Sequence, residues 1–88
     1  MTAEALRSQI AFLYAEKQYT IATQRVEQSI ELLQIIEKKV VTGEVSAMSL
    51  AIAKSAIAEA MVAESEWLTT RQQAKQDVLA ILSQAGLE

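Results

Sequence analysis

A chain of 88 residues with eleven acids and eight bases, net charge −3, is one domain at most, and a chain this short buries too little surface to hold an open cleft around a deep catalytic centre. Its charges are interspersed without a basic run that could follow a phosphate backbone. With neither cysteine nor histidine, it offers no disulfide framework, says nothing of redox compartment, and supplies no thiolate or imidazole for zinc or haem, so no metal or cofactor is expected.

Hydrophobic residues make up 51% of the chain, yet the aromatic ones are only Phe12, Tyr14, Tyr19 and Trp67, and alanine, glutamine, glutamate, leucine and isoleucine dominate. That is a helix composition. Proline is absent and the two glycines are Gly43 and Gly86, so the strongest punctuation falls at the midpoint and near the end.

In the first half, apolar or small residues recur at alternating spacings of three and four: Phe12, Ala15, Tyr19, Ala22, Val26, Ser29, Leu33, Ile36, Val40. This is a heptad seam. Next comes Val41-Thr42-Gly43-Glu44-Val45-Ser46, with the chemistry of a sharp turn: Gly43 can take the left-handed conformation that ends a helix, and Ser46 can cap the next one. Lys38 and Lys39 precede it, where cations oppose the negative end of a helix dipole. The second half repeats the seam in Leu50, Ala53, Ile57, Ala60, Glu64, Trp67, Arg71, Ala74, Val78 and Ile81, with Glu64 and Arg71 as charged interruptions.

The whole chain, 1–88, therefore reads as all-α: two long antiparallel helices forming a coiled-coil hairpin, with helices over about 3–41 and 46–83 and a turn at 42–45. Folding about Gly43 sets residue i against roughly 86 − i. Phe12 then meets Ala74, Val26 meets Ala60, Leu33 meets Ala53 and Ser29 meets Ile57, so large opposes small, as interdigitated packing requires. Tyr19 opposite Trp67 is the one bulky aromatic pair, a packing feature of the hairpin in preference to a ligand box. Glu64 and Arg71 face Ala22 and Ala15, with room for their stems to bend outward; they can form a partly solvated ion pair or contact a neighbouring subunit.

Each helix should be about 60 Å long at 1.5 Å per residue, a rod with little interior. Leu6, Ile10, Leu13, Ile21, Ile52, Met61 and Leu68 lie off the seam, more apolar surface than one hairpin buries, so self-association into a four-helix arrangement of two hairpins is expected. No apolar stretch approaches the roughly 20 residues a membrane helix needs, and no charged-then-apolar leader opens the chain. Leu87-Glu88 after Gly86 resembles a cloning remnant and Met1 an introduced start, so the natural chain is expected to extend both ways. A catalytic constellation is missing: there is no phosphate loop, the one aspartate is Asp77 and the serines have no base, so an enzyme is not expected.

The turn and its flanks, Lys39-Val40-Val41-Thr42-Gly43-Glu44-Val45-Ser46-Ala47-Met48-Ser49, with Ala53 seven residues after Ser46, resemble the repeat of TolC-like outer-membrane efflux proteins. In that family a basic residue, an aromatic, two variable residues and glycine precede a short turn and a helix. Phe12-Leu13-Tyr14-Ala15 falls at the family's apolar-Leu-x-Ala segment, and Ala74 with Val78-Leu79-Ala80-Ile81-Leu82 at its leucine-rich end. The resemblance runs without gaps from about Ser8 to Ser83, with two departures: Val40 replaces the usual aromatic, and Ser49 stands where aspartate would complete a Ser-x-x-Asp cap.

The resemblance implies a wall segment of a periplasmic tunnel beneath an outer-membrane barrel, built from two such repeats in each of three protomers, and no cofactor. It makes Thr42, Gly43, Glu44, Val45 and Ser46 the tip that docks a periplasmic adaptor protein; the residues alone make it an ordinary hairpin loop. Two alternatives remain from the same residues: the helical hairpin of a membrane-fusion adaptor, whose lipoyl-like flanks are not seen, and a free-standing coiled-coil interaction module.

Overall fold

The computed structural model of the protein describes residues 2–84. Met1 and Ala85-Gly86-Leu87-Glu88, on which the reading of Gly86 and of a cloning remnant falls, lie outside the described residues. Helix α1 spans Ala3–Val41 and helix α2 spans Ala47–Gln84, with no strand among the described residues. The expected bounds hold to within a residue.

Helix α1 starts because the Thr2 hydroxyl accepts a hydrogen bond from the Ala5 N–H at 3.1 Å, occupying one of the donors that a helix start leaves open. Nothing interrupts it for 39 residues, since neither proline nor glycine lies within it. It ends in a paired-bond cap. The Glu44 N–H donates to the Lys39 carbonyl at 2.8 Å and the Gly43 N–H to the Val40 carbonyl at 3.1 Å, which is the Schellman geometry and needs a left-handed residue at its centre. Gly43 supplies it, with φ +79°.

The two helices pack along the predicted seam. Every seam position named above is buried or half-buried, and the fully buried set among them is Ala15, Ala22, Val26, Ala53, Ala60 and Ala74. The seam also continues beyond Phe12 through Ser8 to Ala5, keeping the same spacing. Small side chains line the contact because two helix backbones can approach closely only where little stands between them.

The register is close to the expected mirror. Glu16 reaches Arg71, Ala11 and Ala74 share one groove, and Ser29 lines another with Ala56 and Ala60.

The result is a rod of 65 × 18 × 14 Å, two helices wide and one deep. Its radius of gyration is 19.5 Å, where a compact chain of this length would have about 12 Å. Its accessible surface is 6503 Å² for 9.7 kDa, against about 5,100 Å² for a compact monomer of that mass. The off-seam residues expected to face water do so, except Leu68, which is half-buried. Leu68 directly follows the seam residue Trp67, which puts it at the flank of the contact.

Candidate functional site

The tip is built from the two helix ends it joins. Thr42 keeps helical dihedrals (φ −84°, ψ −3°) and donates its hydroxyl to the Lys39 carbonyl at 3.1 Å, while Lys38 and Lys39 set positive charge beside the exposed carbonyl end of α1, as the helix dipole favours. On the α2 side the Ser46 hydroxyl accepts from the Ser49 N–H at a long 3.4 Å, and the two hydroxyls lie 3.4 Å apart. A carboxylate at position 49 would return a bond to the Ser46 N–H; serine does not, so the cap is one-sided.

Thr42, Gly43, Glu44 and Ser46 are exposed, but Val45 is half-buried. Its position explains this. Val45 precedes the cap residue and Leu50 is the fourth residue after the cap, the spacing of a hydrophobic staple, and Leu50 is half-buried as well. Beside the tip, Val41 is 87% exposed and Met48 72% exposed, so the turn carries an apolar shoulder with Glu44 as its acidic point. Nothing lies within 4 Å of where a Gly43 side chain would begin. The tip is open to solvent.

A second cluster lies midway along the rod. The Arg71 guanidinium reaches across to Glu16 at 3.8 Å and sits 5.5 Å from the centre of the Tyr19 ring; no ion pair joins it to Glu64. Trp67 and Tyr14 meet edge to face, with ring centres 5.9 Å apart and planes at 76°, an arrangement that aromatic quadrupoles favour. The expected Tyr19–Trp67 pairing is thus replaced by Tyr14–Trp67. Arg71 leans toward the N-terminus of its own helix, as long helical side chains do, and its guanidinium takes the face of Tyr19 within cation–π range.

Both partners of the Arg71–Glu16 pair stay more than a third exposed, so water screens the attraction. Glu16→Gln is expected to cost less than about 1 kcal/mol, a difference that shrinks when melts at low and high salt are compared. A larger, salt-independent loss would mean that Glu16 holds the cluster by packing.

The cluster offers no nucleophile with a base, and no group of three or more potential metal-binding side chains occurs among the described residues. No helix among the described residues is long and apolar enough to cross a membrane. What the geometry defines is a two-helix coiled-coil hairpin with an open tip. Comparison with protein-family models, curated proteins and solved structures found no match.

Proposed function

We propose that this hairpin is a tunnel-wall segment of a TolC-like outer-membrane efflux or secretion channel, lying in the periplasm, with Thr42 to Ser46 as the tip that meets an adaptor protein. The observation that carries the reading is the tip: a left-handed Gly43 between two unbroken helices of 39 and 38 residues, in the sequence context that resembles that family's repeat. A long rod with a small core suits a wall, where neighbouring hairpins cover what one leaves open. Such a part binds and guides; it transforms nothing.

Crosslinking from position 44 in the full-length protein in cells tests the tip. Capture of an adaptor supports docking, and Glu44→Lys, which reverses charge without touching the seam, should weaken that capture while helicity is unchanged. Wild-type crosslinking with Glu44→Lys, or no adaptor captured from position 44, would leave Gly43 a turn residue and nothing more.

A second reading has its own observation. The apolar surface left open along α1 suits a free-standing coiled-coil interaction module. Natural flanking sequence separates the two: membrane strands and a second copy of the repeat favour the channel, and their absence favours the module.

A further inference from the structure

Leu6, Ile10, Leu13, Ile21, Leu32 and Ile35 are 38% to 61% exposed, and at about 100° per residue they fall on one side of α1. They form a stripe along most of that helix. On α2 the exposed apolar residues, Met48, Ile52, Met61 and Leu79 among them, fall on opposite sides and make no stripe.

The α1 stripe has a polar middle. Lys17, Gln24, Gln28 and Glu31 lie within it and are exposed. Two stripes side by side in the same direction would set Lys17 on Lys17 and Glu31 on Glu31, which like charges disfavour. Reversing one copy removes both clashes. Leu6, Ile10 and Leu13 of one copy then meet Leu32 and Ile35 of the other, and Lys17 meets the stretch from Gln24 to Glu31. A two-fold axis through the middle of α1 makes both ends of the contact identical.

We infer that the α1 stripe pairs with the same stripe of a second copy running in the opposite direction, giving a four-helix dimer with the α1 helices adjacent. Surface area supports a second copy as the occupant. The chain exposes 6503 Å², about 1,400 Å² above a compact monomer of its mass, and a standard interface removes about 800 Å² from each partner. The pairing does not rest on the tunnel-wall reading, in which all tips would point to one end.

Sedimentation equilibrium of the chain with three variants tests it, helicity being followed in parallel. Leu13→Glu and Leu32→Lys should each raise the dimer dissociation constant at least about tenfold, because a charge is pressed onto an apolar partner. An equimolar mixture of the two should recover the dimer, since only the reversed arrangement brings position 13 against position 32. Leu79→Glu, on α2, should leave the dissociation constant unchanged.

Failure of the mixture to recover, with a dimeric wild type, would mean parallel pairing and overturn the inference while agreeing with the tunnel wall. Loss of the dimer on Leu79→Glu would place the contact on α2. A wild type still monomeric at millimolar concentration would overturn it too, leaving the stripe to a membrane surface or a partner of different sequence.

Discussion

Replacing Ala60 with leucine should lower the melting temperature by roughly 5–20 °C, because extra methylenes in a packed seam cost about 1–3 kcal/mol. Ala60 is 5% exposed and its mirror partner Val26 is 8% exposed, so a leucine side chain there must push on the facing helix or turn out into the groove that Ala60 lines with Ser29 and Ala56. Relief within the seam would require the helices to move apart, and the neighbouring layers, buried Ala53 with Leu33 and buried Ala22 with Glu64, resist that. Met61→Leu, one residue along but 47% exposed, should stay within about 0.5 kcal/mol of the parent. Thermal unfolding followed by circular dichroism compares the two directly. Equal melting temperatures would show that small residues at the seam are a matter of composition and not of close approach.

The second large effect belongs to Gly43. Its φ of +79° costs glycine nothing, whereas a side chain there costs about 1–2 kcal/mol and a β-branched one more. Because no atom lies within 4 Å of the site for a new Cβ, the penalty is conformational and not steric. The stability order should therefore be glycine, asparagine, alanine, valine, asparagine standing second because it tolerates the left-handed region. Chemical denaturation of the four proteins gives the order. A valine variant as stable as the parent would mean that the turn can be rebuilt without the bonds from Glu44 to Lys39 and from Gly43 to Val40.

The hairpin was legible in the sequence because two physical signals are local and redundant. Seam spacing marks the face of each helix, and a helix without proline or glycine continues until something stops it; Gly43 does so. Side-chain partnerships were less legible. Matching residue i to 86 − i ranks backbone heights correctly, but Trp67 and Arg71 extend well beyond their own layer, so heights alone could not tell which of Tyr14 and Tyr19 each would meet. The Thr2 cap was not read from the sequence, although a threonine just before the first helical residue is a signal for one.

The tip divides in the same way. Its turn geometry follows from Gly43 and Ser46, and the half-burial of Val45 from the staple spacing that was available and unused. Its partner is another matter, since no contact within the hairpin depends on what docks there.

The mirror register also fixes how the rod can change length. Seven residues added to α1 alone would carry every layer on the far side one heptad past its partner, setting Phe12 against Ile81 and Val26 against Trp67 and parting Glu16 from Arg71. The same seven added to each helix at one height would leave all layers matched and lengthen the rod by about 10 Å. Reach is thus an adjustable dimension of this hairpin, quantised in heptads and independent of both the turn and the free end.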